Sequence, residues 1–108
     1  MLPSRKISDC PVATTVNLIG NKWKLMIIRD LVAGTKRFGE LRKSLTGISQ
    51  RVLTQNLREL ESDGLIDRNV FAEVPPRVEY SLNKTGQSLK TVIDALADWG
   101  TKYKSGQV

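Results

Sequence analysis

The spacing of apolar residues changes at Gly64, and this change restricts the chain to folds that combine helices with a β-hairpin. Before Gly64 the apolar residues recur every three or four positions, which is the period of an α-helix. After it, residues 65–70 and 77–82 show the alternation of apolar and polar residues that is typical of β-strands. Because the prolines between them disrupt strand pairing, we predict that residues 71–76 form the hairpin loop.

Helical patterns precede the hairpin. Pro11 opens the first helix because proline suits the first helical position, and Gly20-Asn21 ends it. The second helix, about residues 22–32, is apolar nearly all round, so we expect it to be the buried central helix. A third, short helix at about residues 39–44 leads through the tight connection at 46–48 into a fourth.

The fourth helix has clear limits. Ser49 is a good N-cap, Ile48 and Leu53 have the spacing of a hydrophobic staple, and Gly64 stands where a left-handed C-cap is expected. Its leucines share one face, and the opposite face is polar, with Arg51, Thr54, Gln55 and Arg58. Such residues read base edges in DNA, but the same pattern is also typical of a surface helix that faces only water.

A last helix follows the hairpin. Asn83 is a suitable N-cap, and the helix is predicted to run without a break over about residues 84–103. Its apolar stripe, which is wider than one small core needs, contains Leu89, Val92, Ile93, Leu96, Trp99 and Tyr103. The element order predicts a mainly α fold with a small β-hairpin wing, a winged helix-turn-helix, in which the fourth helix enters the major groove.

The length and composition favour one compact domain over residues 1–108, with residues 1–9 as a flexible N-terminal arm. No run of about 18 apolar residues appears, and no charged-then-apolar leader precedes the first helix. We therefore expect a cytoplasmic protein that does not enter the membrane.

The chain contains one cysteine and no histidine. These numbers exclude a disulfide within one chain, a Cys/His zinc site and histidine-dependent catalysis. No Gly-rich phosphate loop or paired carboxylate motif replaces them. We therefore expect a protein that is not an enzyme and that holds no metal or other cofactor.

The net charge of +6 is unevenly distributed. Residues 22–58 contain nine Lys/Arg and two Asp/Glu, a net charge of +7, whereas residues 59–108 have a net charge of −2. A basic region of this kind is typical of nucleic-acid binding, although a charged segment is often only a solvated surface.

Cys10 directly precedes Pro11 and is therefore the expected N-cap of the first helix. Unpaired backbone amides and the helix dipole favour a thiolate there, and Arg5 and Lys6 are close in the sequence. A reactive cysteine is one interpretation. The other is an inert, partly buried thiol, because cysteine is commonly buried.

Short motifs in a fixed order resemble those of the HxlR-type bacterial transcriptional regulators, which are relatives of the MarR group. The matching residues extend from Cys10 to Trp99. They are Cys10-Pro11, Gly20-Asn21-Lys22-Trp23, Arg37-Phe38-Gly39-Glu40-Leu41, Gly47-Ile48-Ser49, Leu57-Arg58-Glu59-Leu60-Glu61, Asp63-Gly64-Leu65, Val74-Pro75-Pro76, Val78-Glu79-Tyr80-Ser81-Leu82, Gly86 and Trp99. Asn21 and Asn83 depart mildly from the family pattern, since asparagine tolerates turns and caps helices.

The resemblance implies a homodimeric repressor that binds a pseudo-palindromic operator in double-stranded promoter DNA. The outer helices would form the dimer interface, with Val12, Val16, Leu89, Ile93, Leu96 and Trp99. Base reading is expected from Ser49, Gln50, Arg51, Thr54 and Gln55. Phosphate and wing contacts are expected from Lys36, Arg37, Arg58, Arg68 and Arg77.

Family members also sense quinones, aldehydes or oxidants through a cysteine near the N-terminus, so the resemblance implies that a small electrophile or oxidant acts on Cys10. Another function remains open: a winged-helix module that binds a protein through the C-terminal stripe and reads no DNA sequence. An RNA-binding role is less favoured, because most aromatic residues stand at core-like positions.

Overall fold

A computed structural model describes residues 9–108. The predicted arm, residues 1–9, therefore lies outside the described residues except for Asp9, and so do Arg5 and Lys6. The helices are α1 (Pro11–Ile19), α2 (Lys22–Ala33), α3 (Phe38–Ser44), α4 (Gln50–Ser62), α5 (Lys84–Gln87) and α6 (Lys90–Lys104). The strands are β1 (Lys36–Arg37), β2 (Ile66–Phe71) and β3 (Arg77–Leu82).

Side-chain caps begin both α2 and α4. The Oδ1 of Asn21 accepts a hydrogen bond from the backbone N–H of Lys24 at 2.8 Å and so caps α2. The Oγ of Ser49 accepts one from the backbone N–H of Val52 at 3.1 Å and caps α4. Each cap satisfies a backbone donor that the first helical turn leaves unpaired. These local interactions set the boundaries of both helices.

The core surrounds α2. Its residues Ile27, Ile28 and Leu31 are buried, which confirms the prediction of a central helix. Leucines from the other elements complete the buried cluster, among them Leu41, Leu45, Leu53, Leu57, Leu60, Leu65 and Leu82. α3, α4 and β3 all pack on α2, and α4 also packs on β2, so both elements contribute to the orientation of α4.

The sheet has three antiparallel strands in the order β1-β3-β2, one more than the predicted hairpin. β1 has only two residues, and it pairs Lys36 with Tyr80 and Arg37 with Glu79. A two-residue strand has no periodicity of its own, and for that reason the sequence pattern does not indicate it. Its pairing attaches the start of α3 to the middle of β3.

The hairpin loop is shorter than predicted. Phe71 belongs to β2 and pairs with Arg77 at the end of the ladder, so the loop contains residues 72–76. The guanidinium carbon of Arg77 lies 4.1 Å from the centroid of the Phe71 ring. This cation–π contact extends the strand pairing by one residue beyond the predicted end. We call β2, β3 and residues 72–76 the wing.

The predicted single C-terminal helix is wrong in one respect, because it is divided into α5 and α6 at Ser88-Leu89. Here the backbone N–H of Ser88 donates to the carbonyl of Thr85, and that of Leu89 donates to the carbonyl of Gly86. These bonds span three residues instead of four, which tightens the turn between α5 and α6. The cap by Asn83, whose Oδ1 accepts from the N–H of Gly86 at 2.8 Å, agrees with the prediction.

Candidate nucleic-acid interface

α3 and α4 form a helix-turn-helix unit. Between them, Leu45 and Ile48 are buried, and the N–H of Ile48 donates to the carbonyl of Leu45 at 3.0 Å. Gly47 has a φ of 91°, in the left-handed region that favours glycine. The two apolar anchors and the glycine turn hold α4 at a defined angle to α3, with its N-terminus at the surface.

The two faces of α4 separate as the sequence predicts. Leu53, Leu57 and Leu60 are buried against the core. Arg51, Gln55 and Arg58 are exposed, Ser49 and Gln50 are exposed at the start of the helix, and Thr54 is half-buried. The polar residues therefore form one continuous outer face. We call its N-terminal part, Ser49, Gln50, Arg51, Thr54 and Gln55, the reading face.

Gln55 of the reading face is linked through Glu59 to Lys24 of α2, a connection that the sequence analysis did not predict. The Nε2 of Gln55 donates to the Oε2 of Glu59 at 2.7 Å, and the Oε1 of Glu59 lies 2.6 Å from the Nζ of Lys24. The four-residue spacing of Gln55 and Glu59 is a signal for a contact on one helix. Lys24 lies 35 positions before Glu59 in the chain, and no local spacing indicates that these two side chains meet.

The wing stands beside the end of α4. A cleft of about 360 Å³ separates them, and it is lined by Thr54, Leu57, Arg58, Glu61, Arg68 and Tyr80. Both arginines are exposed, and Arg68 is held on β2 by its pairing with Tyr80 of β3. The fold thus brings together two of the predicted phosphate-binding residues, Arg58 and Arg68.

Arg77 has carboxylate neighbours within the wing. Its guanidinium group lies 3.3 Å from the Oε1 of Glu73 and 3.5 Å from the Oε2 of Glu79. It also contacts the face of the Phe71 ring. These three contacts tie the loop to both strands, so Arg77 contributes to the shape of the wing.

Lys36 and Arg37 lie apart from the cleft between α4 and the wing. Lys36 lines a second cleft with Asp30 and Glu40, and Arg37 lines a third with residues of the wing loop. The backbone N–H of Arg37 donates to the Oε1 of Glu40 at 2.8 Å, which caps α3. The predicted phosphate-binding residues are therefore distributed over three neighbouring clefts instead of one patch.

Cys10 is exposed, and it is the N-cap residue of α1 with Pro11 in the first turn. The position agrees with the prediction, and the exposure disagrees with the alternative of a buried thiol. The backbone carbonyl of Cys10 accepts from the N–H of Thr14 at 3.0 Å, so its backbone is part of the first helical turn.

Exposed apolar side chains lie on α1 and on α6. They are Val12 and Val16 on α1 and Leu96, Trp99 and Tyr103 on α6. The rings of Trp99 and Tyr103 stack, with centroids 5.3 Å apart and planes 13° from parallel. This corrects the expectation that most aromatic residues are core-like. Two other predicted interface residues, Leu89 and Ile93, are half-buried and pack on the core.

Residues 9–108 contain neither a metal-binding cluster of side chains nor a membrane-spanning helix. In that part of the chain, no group of three or more His, Cys, Asp or Glu residues is arranged to hold a metal ion. No helix within the same range is both long and apolar enough to cross a membrane.

Sequence comparison identifies relatives over nearly the whole described chain. A family model for HxlR-like helix-turn-helix proteins matches residues 18–108. The HTH-type transcriptional regulator YdeP of Bacillus subtilis (strain 168) is 54% identical over 101 residues, which cover 94% of this chain and 79% of YdeP.

Solved structures show the same fold. The redox regulator HypR in its oxidised form has a TM-score of 0.82 and 44% identity, covering 86% of this chain and 96% of HypR. The reduced form of the transcriptional regulator YodB from B. subtilis has a TM-score of 0.76 and 33% identity, covering 89% of this chain and 95% of YodB. The chain belongs to the HxlR family of winged helix-turn-helix transcriptional regulators.

Proposed function

We propose that this regulator acts as a homodimeric, sequence-specific repressor that binds a pseudo-palindromic operator in promoter DNA and responds to electrophiles or oxidants through Cys10. The observation that carries the DNA-binding part is the reading face, which is exposed at the N-terminal end of α4 beside a wing with exposed Arg68. A helix presented in this way fits the major groove, and a wing beside it reaches the adjacent backbone.

Base reading is assigned to Ser49, Gln50, Arg51, Thr54 and Gln55. Arg51 supplies a bidentate donor that suits guanine, and Gln55 supplies an amide that suits adenine. The Oγ of Ser49 already accepts from the N–H of Val52, but its own hydrogen remains for a base or a phosphate. Base discrimination therefore depends on the first two turns of α4.

Phosphate binding is assigned to Lys36, Arg37, Arg58, Arg68 and Arg77. Arg58 and Arg68 line the same cleft, so they are suited to hold one stretch of backbone between α4 and the wing. Arg77 must exchange its contacts with Glu73 and Glu79 for a phosphate, and we assign it the weaker contribution.

The dimer is assigned to the apolar surface of α1 and α6, through Val12, Val16, Leu89, Ile93, Leu96 and Trp99. Exposed apolar side chains grouped on the outer helices of a small domain are typical of a protein interface. A two-fold axis through this surface sets two copies of α4 apart, and a separation of about 34 Å matches half-sites one DNA turn apart.

Cys10 is assigned as the sensor because it is exposed at a helix N-terminus. With an oxidant such as diamide, the Cys10 thiols of two subunits form one S–S bond, and two protons and two electrons pass to the oxidant. With a quinone, the thiolate adds to a ring carbon and forms a C–S bond. The C=C π bond breaks, and its electrons pass to a carbonyl oxygen that takes up a proton, so the adduct is a hydroquinone thioether. The similarity to HypR, a redox regulator with an oxidised form, supports this assignment.

The test is DNA binding by the full chain, with DNA upstream of its own gene and with a pool of random sequences. We expect selective binding that weakens on addition of diamide in the wild type but not in Cys10→Ser. Diamide-induced release that survives in Cys10→Ser would remove the sensor while leaving the DNA-binding role. Binding with no sequence preference above bulk electrostatics would instead favour a module that docks a protein on the C-terminal stripe.

Arg51→Ala tests the reading face itself. We expect this variant to lose both affinity and base discrimination on the selected site, because Arg51 is assigned a base contact. Unchanged affinity and specificity would show that the wrong face of α4 has been assigned.

A further inference from the structure

A buried ion pair connects the central helix with the recognition helix α4. The side chain of Lys24 in α2 is only 4% exposed, and its Nζ lies 2.6 Å from the Oε1 of Glu59 in α4, whose side chain is 34% exposed. A buried ammonium group without an opposite charge is strongly unfavourable. Lys24 and Glu59 are therefore held together, and Glu59 cannot move away from α2 without leaving that charge uncompensated.

The other oxygen of Glu59 determines how the amide of Gln55 is oriented. The Oε2 of Glu59 accepts a hydrogen bond from the Nε2 of Gln55 at 2.7 Å. An ionised carboxylate has no hydrogen to donate, so only the nitrogen end of the amide can face it. The Oε1 of Gln55 and the second N–H hydrogen consequently remain for another partner on the exposed side of α4.

Lys24 also reduces the repulsion between Glu59 and DNA. A carboxylate on the face that approaches DNA is repelled by the phosphates. Lys24 lies beneath that face and is paired with Glu59, so it offsets the negative charge from the protein side. Glu59 can then accept from Gln55 close to the DNA with a smaller electrostatic cost.

We propose that Lys24 and Glu59 are positioning residues for base reading: together they hold the amide of Gln55 with its nitrogen toward Glu59 and its oxygen outward. This inference rests on the proposed DNA-binding function. The free edge of the amide, one acceptor and one donor, matches N6–H and N7 of adenine. Gln55 therefore selects adenine at one position of each half-site, and the selectivity depends on a charge pair that does not touch DNA.

The first test needs no DNA and uses side-chain amide relaxation measured by NMR on the full chain. Gln50, which is exposed on the same helix, is the internal reference. We expect the Gln55 amide to be clearly more ordered than that of Gln50, whose order parameter should lie below about 0.6, the flexible range. Glu59→Gln and Lys24→Met should each increase the mobility of Gln55. A Gln55 amide as mobile as that of Gln50 in the wild type would overturn the proposal.

The second test compares base preferences on the DNA site that the wild type selects. Gln55→Ala identifies the base pair that Gln55 reads. In Glu59→Gln, the new amide can accept with its oxygen or donate with its nitrogen. The side-chain amide of Gln55 can therefore place either its nitrogen or its oxygen toward residue 59. We expect discrimination at that base pair alone to fall by about 10-fold or more. The matched control is Asp94→Asn, which removes the same charge from an exposed carboxylate of α6 that is also paired with a lysine, Lys90, and should leave the base preferences unchanged.

A double variant separates positioning from a general effect. In the Gln55→Ala background, Glu59→Gln should cause no additional loss at the identified base pair, because the residue that it positions is absent. Equal losses with and without Gln55, or an effect of Glu59→Gln that is no larger than that of Asp94→Asn, would contradict the proposal.

The two tests also distinguish this inference from the proposed function. A wild type that selects no DNA sequence overturns the proposed function and the reading role with it, while the NMR comparison still decides whether the ion pair orders Gln55. Selective DNA binding together with a mobile Gln55 overturns only the positioning role.

Discussion

The Nδ2 of Asn83 donates a hydrogen bond to the backbone carbonyl of Gly64 at 2.8 Å, across 19 residues of chain. The backbone N–H of Asn83 also donates to the carbonyl of Leu65 at 3.2 Å. Gly64 follows the end of α4 and Asn83 follows β3, so these bonds close the wing at its base. The position of the wing beside α4 depends on this closure.

We predict that replacing Asn83 lowers the stability of the protein, because Asn83 closes the base of the wing. Asn83→Ala removes the cap of α5 and the bond to Gly64, and we expect it to lower the free energy of unfolding by about 1 to 2 kcal/mol. Asn83→Asp keeps a cap acceptor but has no donor for Gly64, so it should also destabilise the protein. Chemical denaturation measures both. Gln107→Ala, at an exposed C-terminal position, is the control and should change stability by less than about 0.5 kcal/mol.

Gly86 packs directly on the base of the wing. A Cβ atom there would overlap the carbonyl oxygen of Leu65, which is backbone and cannot turn aside. We expect Gly86→Ala to cost at least about 2 kcal/mol of unfolding free energy, as measured by thermal or denaturant unfolding. Gly39→Ala in α3 meets open space and should be neutral or stabilising. Equal stability of the two variants would contradict the tight packing at Gly86.

Ser49 is predicted to have two separable roles. Ser49→Ala loses the cap of α4, which should cost about 1 kcal/mol of stability and weaken DNA binding. Ser49→Asp restores a cap acceptor and favours the helix dipole, but it adds a negative charge beside the DNA. We expect Ser49→Asp to have near wild-type stability and still bind DNA poorly. Thermal unfolding and DNA titration of the same samples distinguish the two roles, and normal DNA binding by Ser49→Asp would argue against a reading role.

The dimer is tested by placing a charge on the apolar surface. Leu96 of α6 is 50% exposed and Val70 of the wing is 56% exposed, so the two sites are matched in accessibility. We expect Leu96→Asp to give monomers and to weaken operator binding strongly, because half-sites would be bound one at a time. Val70→Asp should remain dimeric. Analytical ultracentrifugation measures the mass, and a dimeric Leu96→Asp would show that the interface lies elsewhere.

Arg68 and Arg77 are predicted to differ in the salt dependence of DNA binding. Arg68→Ala should reduce the slope of log affinity against log salt by about 1, the value for one lost phosphate contact. Arg77→Ala should change that slope less, because Arg77 is already paired with Glu73 and Glu79, but it should destabilise the wing. Salt titrations of both variants on one DNA site measure the two slopes. A larger slope change for Arg77→Ala would reverse their assigned roles.

Much of the fold was predictable because its signals are local. The cap at Ser49, the left-handed position at Gly64 and the cap at Asn83 are each determined by residues within a few positions of one another. The change from helical to alternating periodicity likewise marks the start of the wing. The outer face of α4 follows from the same local rule, since a helix with buried leucines on one side must expose its other side.

Two other features have no signal in the local sequence pattern. β1 exists because Lys36 and Arg37 pair with β3, and two residues cannot signal a strand alone. The C-terminal helix divides at Ser88-Leu89, where three-residue hydrogen bonds replace the helical ones. The local pattern of that segment is helical on both sides, so the break is not visible in it.

The sequence by itself determined which segments are helices or strands, where most of them begin, and which residues lie on the outer face of α4. Only the tertiary structure decided that Lys24 lies beneath Glu59, that Arg77 is paired within the wing, and that Arg58 and Arg68 line one cleft. The physical reason is the distance along the chain over which each interaction acts. Capping and periodicity act over one or two helical turns, whereas ion pairs between elements form only after those elements pack together.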